Sequence, residues 1–474
     1  KKHKKVKHEM NLKRWNQVGQ VQITFTNKQL TAWGGACSTV AKFLEQLSFR
    51  EWVEQNVLVE EHSPNAKGIY PKVLALILTS LVGGTRFSDL HGWMHGRDVM
   101  AKCFGVDWLP RASSVLTRFI SKFTRRHCEH LRAACVRLCV KLLELEGIGE
   151  ADINFDSSVL TRYGQQEGAL KGYNPKKPGR PSHHPLQATL DNGYLVNQWN
   201  RSGNTHTAHQ IIFFFEQTIA GLPTFLRIRR ILADCGYCTE EFLNYLEARG
   251  HTYIIAVPMS EYVTRAILQT ATWTTVAEGI EMAGARVRLS TWKRERRMVF
   301  VRQHIPTRPT ATGKQPTLFA DLEDHRNYRY GAMVTNDDTL SSLDIWRTYR
   351  PRAKIENVIQ ELKGGYGWDE FNVRSFFGTE AVMHLIGMVA YNLIHFLNRV
   401  IFKTASEPLS RLKKIRMKVL AIPAVYGSSG RTPTLRLGVA DRKIKGKITY
   451  WLRQINELPL CLVNCNAIGP PTQE

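Results

Sequence analysis

The sequence predicts an α/β protein in which a helical N-terminal region precedes a core of alternating strands and helices. In residues 1–150 the apolar side chains recur at helical spacing, as in YPKVLALILTSLVGG. From residue 151 the spacing becomes two, because ADINFDSSVL places Ile153 and Phe155 between polar residues, which is typical of a strand with one polar face. The segment 227–257 then indicates a strand, a helix and a strand, which together form a parallel crossover unit.

Changes of pattern divide the chain into five segments. These are a helical region (1–150), the first part of the core (151–257), an inserted β subdomain (258–330), the second part of the core (331–403) and a basic C-terminal region (404–474). The β subdomain is placed by strand-like alternation in ARVRLSTW and RMVFVRQHI, which a Thr/Pro/Gly-rich loop follows. The second part of the core is strongly helical, with an interruption at Gly364 and Gly365.

Turn and cap residues set the bounds of several core elements. Asp191, Asn192 and Gly193 form a hairpin turn between HPLQATL and YLVNQWNRSG. Thr239 is a natural N-cap for the helix of the crossover unit, and Gly250 ends that helix. We therefore expect antiparallel strands before the crossover unit and parallel strands within it.

The charge balance indicates a polyanionic partner. The chain has 474 residues, of which 43% are hydrophobic, and it carries 65 Lys and Arg against 41 Asp and Glu, a net charge of +24 with a pI near 9.8. Because the excess is spread along the chain instead of lying beside a hydrophobic anchor, nucleic acid is favoured over a membrane surface. No apolar run of signal-peptide length follows KKHKKVKHEM, so we expect a cytoplasmic, nucleoid-associated protein. The apolar segment 381–402 contains His and Asn residues and is interpreted as a buried helix.

Nine cysteines in a chain of this length do not form a disulfide scaffold. Cys235 and Cys238 have zinc-ligand spacing, and Cys461 with Cys465 would complete four thiolates. Small core residues are the preferred interpretation, because neither pair lies in a knuckle-like loop.

A basic helix is predicted in WLPRASSVLTRFISKFTRRH, which includes Arg118, Arg125 and Arg126. Pro110 and the serines at 113 and 114 favour a helix start there. A helix with cations on one side is suited to lie against phosphates, so residues 1–150 are a candidate DNA-binding region. A solvated basic face without a ligand would give the same pattern.

Two carboxylates are predicted to meet at the ends of neighbouring strands. Three antiparallel strands, a helix and further alternating elements describe a ribonuclease H-like sheet. Asp156 lies in its first strand, and Asp234 follows the apolar end of its fourth. Phosphodiester transfer needs two hard cations roughly 4 Å apart, and carboxylate oxygens are the ligands that Mg²⁺ prefers.

The third carboxylate is predicted on the helix YRPRAKIENVIQELK. At about 100° per residue, Arg352 and Lys363 lie within about 40° of Glu356, whereas Glu361 is rotated by about 140°. Glu356 is therefore the carboxylate flanked by cations, and we expect it within ion-pair distance of Asp156 and Asp234. A surface helix with ion pairs would show the same charges.

The residues Tyr349, Arg352, Glu356 and Lys363 match, in identity and spacing, the Tyr-Arg-Glu-Lys signature of DDE insertion-sequence transposases. The chain resembles the group-1 DDE-domain subgroup of these bacterial proteins. The segments FDSSV, KGYNPKKPGRPSHHPLQA, RSGNTH, LADCGY and GGTRFSDLHGW are also similar, in the same order, over most of residues 75–400. Cys235 departs from the family, which more often has Ser there.

This resemblance implies a cut-and-paste transposase, a metal-dependent nuclease and strand transferase that acts as a homodimer on inverted-repeat ends and target DNA. It implies two Mg²⁺ ions, with Mn²⁺ as a substitute, held by Asp156, Asp234 and Glu356. Arg352, Lys363 and Tyr349 would contact the DNA backbone. A hairpin intermediate is part of the implied reaction, with an aromatic side chain on a flipped base.

Other residues have two interpretations each. Trp273 or Trp292 could stabilise a flipped base, although a core tryptophan is the simpler interpretation. The basic loop residues fit contact with a DNA backbone or a solvated loop; they are Lys171, Lys176, Lys177 and Arg180. His183 and His184 are interpreted as hydrogen-bonding or DNA-facing residues, because Mg²⁺ chemistry does not need imidazole.

Two alternative functions stay open at this point. One is a ribonuclease H-like nuclease or resolvase without strand transfer, and the β insertion with the Tyr-Arg-Glu-Lys helix argues against it. The other is a domesticated, non-catalytic DNA-binding protein, and the intact acidic triad argues against that.

Overall fold

The computed structural model describes residues 16–18, 20–63, 65–93, 96–306, 327–403 and 408–459. Cys461, Cys465 and the first 15 residues, for which the sequence makes predictions, lie outside this part of the chain. The fold is mixed α/β, with one large mixed sheet at its centre.

The strands are numbered in chain order. They are β1 (Gln17–Val18), β2 (Val21–Gln22), β3 (Gln29–Thr31), β4 (Glu150–Ser157), β5 (Leu160–Thr161), β6 (Leu170–Lys171), β7 (Pro181–His183), β8 (Leu186–Leu190), β9 (Leu195–Trp199), β10 (Arg227–Ala233), β11 (Tyr253–Ala256), β12 (Thr274–Ala277), β13 (Ile280–Val287), β14 (Arg296–His304), β15 (Tyr328–Thr335), β16 (Ala424–Ser429) and β17 (Thr432–Leu437). Within the described residues the central sheet has nine strands, in the order β12-β13-β14-β15-β11-β10-β4-β8-β9. Within it β10 runs parallel to both β4 and β11, and the other neighbours are antiparallel.

The α-helices are also numbered in chain order. They are α1 (Ala41–Gln46), α2 (Phe49–Asn56), α3 (Tyr70–Val82), α4 (Arg97–Cys103), α5 (Ser113–Ile120), α6 (Arg125–Glu146), α7 (Ile211–Gly221), α8 (Glu240–Ala248), α9 (Glu261–Leu268), α10 (Ser342–Tyr349), α11 (Ala353–Gly364), α12 (Phe376–Phe402), α13 (Leu412–Ile415) and α14 (Arg442–Glu457). A π-turn, Ala36–Val40, leads into α1, and another, Arg416–Leu420, continues α13. Two more π-turns lie within α12.

The alternation of β4 places two kinds of side chain on the two faces of the sheet. Phe155 packs against the aromatic rings of Phe214 and Phe215 on α7. The polar residues of β4 occupy the opposite face, and Asp152 and Asn154 there are also buried. Asp152 and Asp156 are therefore buried, whereas Glu150 at the start of β4 is exposed, and a two-residue period does not reveal this difference by itself.

The long helix α12 is apolar and long enough to cross a membrane, but 89% of its most apolar window is buried inside the protein. Two of its polar residues, Asn392 and His395, hydrogen-bond to the β8–β9 hairpin. The Asn392 amide accepts from Leu195 N–H at 3.0 Å and donates to Leu195 C=O at 2.8 Å, while the His395 ring bonds Asn192 C=O at 2.9 Å. These contacts satisfy backbone groups of the hairpin, as a buried core helix requires.

The region 258–330 contributes strands to the central sheet. β14 pairs with β15 from Arg297 opposite Thr335 to His304 opposite Tyr328, and β13 and β12 follow outward. β12, β13 and β14 therefore lie along one edge of the central sheet, in continuous backbone pairing with β15. The bounds of an inserted subdomain stay a prediction.

Candidate active site

Two aspartates lie side by side at the carboxyl ends of the parallel strands β4 and β10. The register pairs Leu232 with Asn154 and Ala233 with Phe155, so the next residues along are Asp234 and Asp156. The carboxylate of Asp156 accepts a hydrogen bond from Ser157 N–H at 2.8 Å. The chain turns at Asp234 because its carboxylate caps a short 3₁₀ turn by accepting from Gly236 N–H at 2.9 Å.

The turn between α10 and α11 is fixed to these two strand ends. The Tyr349 hydroxyl donates to Ala233 C=O at 3.0 Å. The Arg352 guanidinium donates to Phe155 C=O at 3.4 Å and lies 3.3 Å from the Asp156 carboxylate. Both members of this ion pair are largely buried, with side-chain exposures of 11% and 12%. Backbone carbonyls and a buried ion pair therefore hold the start of α11 against the sheet.

Glu356 and Lys363 extend this arrangement along α11. Glu356 is exposed in the first turn of the helix, and its charge is close enough to raise the pKa of Asp156. Lys363 donates to Val159 C=O at 3.0 Å, just beyond β4. Glu361 instead accepts a hydrogen bond from Leu412 N–H of α13. The helix phase thus separates Glu356, beside the aspartates, from Glu361, which joins α11 to the C-terminal region.

Burial raises the pKa of Asp156 to about 6. The Arg352 charge opposes this rise, while the charges of Asp234 and Glu356 add to it. Among the described residues no group of three or more Asp, Glu, His or Cys side chains is arranged to hold a metal ion. The joint role of Asp156, Asp234 and Glu356 as ligands therefore stays a prediction.

The model of the family described as "Transposase DDE domain group 1" matches residues 15–456. The chain belongs to this family. Membership of a DDE transposase family implies nuclease and strand-transferase chemistry. Among solved structures, the chain is similar to a piggyBac transposase in a synaptic complex with hairpin DNA determined by cryo-EM, at 9% identity and a TM-score of 0.40, over 93% of this chain and 86% of that one. No curated protein matches the chain.

The predicted basic loop contributes to a small sheet that follows β4 in the chain. The strand order of this sheet is β5-β7-β6. All four predicted DNA contacts of the loop are exposed: Lys171, Lys176, Lys177 and Arg180. Burial lowers the pKa of Lys363, and the charge of Lys176 lowers it further. Lys176 of the loop and Lys363 are therefore close enough to repel each other beside the end of β4.

The N-terminal cations lie on α5 and at the start of α6. Arg118 is exposed and donates to Ser114 C=O at 3.1 Å within its own helix. Arg125 ion-pairs with Glu129 at 2.7 Å, and Arg126 is exposed. A four-residue connection separates the two helices.

The two tryptophans considered for a flipped base both have a guanidinium over the ring. Arg296 lies 5.1 Å from the centre of the buried Trp292 ring, and Arg302 lies 4.4 Å from that of Trp273. These cation–π contacts occupy a face of each ring. Trp292 is buried, which agrees with its interpretation as a core tryptophan.

The two histidines have backbone partners. His183 bonds Glu167 C=O at 2.9 Å, and burial lowers its pKa to about 4. His184 bonds Thr205 C=O at 2.9 Å and the Ser157 hydroxyl at 3.0 Å, next to Asp156. Both are therefore hydrogen-bonding residues of the scaffold.

Sequence reasoning missed one residue beside the aspartates. Tyr237 is fully buried, and its pKa is raised by burial and by the charges of Asp156 and Asp234. The signal was present in the segment LADCGY, where Tyr237 ends the turn that Asp234 begins. Cys235 in the same turn is exposed, so it is not one of the small core cysteines.

Proposed function

We propose that the chain is a cut-and-paste transposase of a bacterial insertion sequence that cleaves DNA at inverted-repeat ends and transfers the strands. The observation that carries the proposal is the pair Asp156 and Asp234 on adjacent parallel strand ends, with Glu356 electrostatically coupled to it. The central sheet is then a ribonuclease H-like core. A hairpin at the transposon end belongs to the proposed reaction.

The donor set fits two Mg²⁺ ions, with Mn²⁺ as a substitute. Asp156, Asp234 and Glu356 supply hard carboxylate oxygens, and one oxygen each of Asp156 and Asp234 is already oriented by a backbone N–H. The burial of Asp156 among like charges, which raises its pKa, is a condition that a bound cation relieves. When bound, such ions activate the attacking oxygen and stabilise the leaving oxygen.

The basic residues on the strand ends orient the scissile phosphate. Arg352 and Lys363 now donate to the carbonyls of Phe155 and Val159, and a phosphate at the same place offers stronger, charged acceptors. Tyr349 fixes the turn before α11 through Ala233 C=O. Charge that develops during phosphoryl transfer is stabilised best by donors that are already in position.

A direct test compares substitutions of the three carboxylates in the full chain. Asp156→Ala, Asp234→Ala or Glu356→Ala should each abolish Mg²⁺-dependent cleavage of end DNA while leaving end binding largely intact. Glu361→Gln is the matched control on the same helix, because it keeps an acceptor for Leu412 N–H. Denaturing gels report nicked, hairpin and joined products, and mobility shifts without metal report binding. Cleavage that survives any of the three alanine substitutions contradicts the proposal.

A second test separates end recognition from phosphate positioning. Substitution of Arg118, Arg125 or Arg126 should weaken discrimination between the correct end and a scrambled end, since the helical N-terminal region is proposed to recognise the inverted repeat. Arg352→Ala or Lys363→Ala should mainly slow single-turnover cleavage, because phosphate contacts carry little sequence information. Equal loss of discrimination in both groups is the result that would contradict this division.

Coordinated cutting of two ends needs two active sites, so the cleaving species is proposed to be at least a dimer on DNA. Light scattering of the cleavage-competent complex should give two or more protomers. A single protomer on a single end would refute this assembly.

A further inference from the structure

The C-terminal region has an extreme charge bias. Residues 408–453 contain twelve Lys or Arg and a single acid, Asp441. We propose that this region binds the backbone of double-stranded DNA without reading its sequence. The C-terminal basic surface is defined here by six exposed side chains: Lys413, Lys414, Arg442, Lys443, Lys445 and Lys447. The inference rests on the proposed function and adds a partner-binding surface outside the active site.

These six cations have no acidic partner, unlike several exposed cations elsewhere in the part of the chain that the structure describes. Arg50 pairs with Glu54 at 3.0 Å, and Arg227 pairs with Glu150 at 2.7 Å. Within the described residues, no ion pair involves a member of the C-terminal basic surface. Their charge is thus available to an external anion.

The positions of four of these cations destabilise α14 when no anion is bound. The cations at 442, 443, 445 and 447 lie in the first two turns of α14, where the helix dipole is positive. Asp441 caps the helix by accepting from Ile444 N–H at 2.9 Å, and the first turn contains no acid. The four cations are repelled by the positive end of the helix dipole and by one another. A line of DNA phosphates neutralises the cations and so removes both repulsions.

The α13 part of this surface, Lys413 and Lys414, is joined to the helix that carries Glu356. Arg411 donates to Asn357 of α11 at 3.1 Å, and Arg416 donates to Gly365 C=O, just beyond α11, at 3.0 Å. Lys413 and Lys414 lie between these two anchors, next to Leu412, whose N–H donates a hydrogen bond to the Glu361 carboxylate. A duplex held there is therefore connected through packed structure to the active-site helix.

The α14 helix is also packed on the helical region and is not a free tail. The Trp451 ring lies 5.1 Å from that of Phe402 at the end of α12, and Ile448 and Ile455 are buried. Helices that insert into a membrane surface need a broad exposed apolar face, and here most of that face is covered by protein. Duplex DNA is accordingly the partner that the charge and the packing favour over an acidic lipid surface.

The test measures how salt weakens binding of the full chain to a 30-bp duplex of random sequence in EDTA. The test variant changes Arg442, Lys443, Lys445 and Lys447 to Gln. The control variant changes four ion-paired exposed cations to Gln, which gives the same change in net charge: Arg50, Arg227, Arg249 and Arg286.

Each lost phosphate contact reduces the slope of log K against log salt by about 0.9. The test variant should therefore lose about three to four from the slope and bind the duplex at least tenfold more weakly at 0.1 M salt. The control variant should keep the wild-type slope. A test variant with the wild-type slope overturns the inference.

Two further arms keep the outcome decisive. Lys413→Gln with Lys414→Gln should reduce the slope by about two, and this pair decides the matter if the α14 variant loses its folded melting transition. Vesicles of equal phosphatidylglycerol and phosphatidylcholine provide the membrane arm. Vesicle binding lost in the α14 variant with an unchanged duplex slope overturns the inference in favour of lipid. Wild-type protein that binds no duplex at all contradicts the proposed function itself, whereas normal end cleavage with unchanged slopes contradicts only this surface.

Discussion

The ion pair between Arg352 and Asp156 predicts a stability change that depends strongly on pH. The perturbation is Arg352→Met in buffer with EDTA. Because both side chains are nearly 90% covered, removal of the cation leaves a buried carboxylate without a countercharge. Breaking a buried pair in this way costs about 3 to 5 kcal/mol when the remaining partner stays charged. That condition holds at pH 8, since the pKa of Asp156 is raised only to about 6 while Arg352 is present.

The same substitution should cost much less at pH 5. At pH 5, which lies below the raised pKa of about 6, the carboxyl of Asp156 is already mostly protonated in the folded protein, so the substitution removes little charge attraction. What remains is the hydrogen bond to Phe155 C=O, about 1 kcal/mol. In the wild-type protein the Arg352 charge lowers the pKa of Asp156, so the pKa of Asp156 should rise further in the Arg352→Met variant. The stability lost by the variant should therefore appear as the pH increases from 5 to 8.

Urea unfolding followed by tryptophan fluorescence at both pH values measures this difference. Asp156→Asn combined with Arg352→Met should remove the pH dependence, because no buried carboxylate is left. Arg286→Met is the matched control, since both side chains of its pair with Asp338 are exposed and such a pair is worth about 1 kcal/mol or less at both pH values. An equal loss at pH 5 and pH 8 for Arg352→Met would refute the reasoning.

Three further outcomes are expected. Burial raises the pKa of Glu380 to about 7, above its unfolded value, so in the folded protein Glu380 holds a proton between pH 4.5 and 7. The stability of the protein should therefore fall as the pH rises through that window. Glu380→Gln keeps an acceptor for Asn200 N–H and should remove this pH dependence, equivalent to about 3 kcal/mol, from the melting temperature. Tyr349→Phe should lower stability by about 1 kcal/mol through loss of the bond to Ala233 C=O, measured by urea unfolding. Cys235→Ser should leave the rate of end cleavage within about twofold, and a loss of tenfold or more would give the thiol a chemical role.

The sequence was most informative where one local rule decides the outcome. The two-residue period of β4 predicted its strand, and Thr239 caps α8 by accepting from Phe242 N–H as expected. Helix geometry alone separated Glu356 from Glu361, and the two do make different contacts. Each of these features depends on residues within a few positions of each other, so the period or the cap is visible in the chain itself.

Only the tertiary structure decided which strands and side chains meet. The period of β14 shows two faces but not the neighbour to which its edge bonds, and pairing with β15 joined it to the central sheet. The contact of Arg352 with Asp156 and the position of Tyr237 beneath both aspartates depend on residues brought together across the fold. A sequence specifies such contacts through the packing and burial of many distant groups at once, and no spacing along the chain records them.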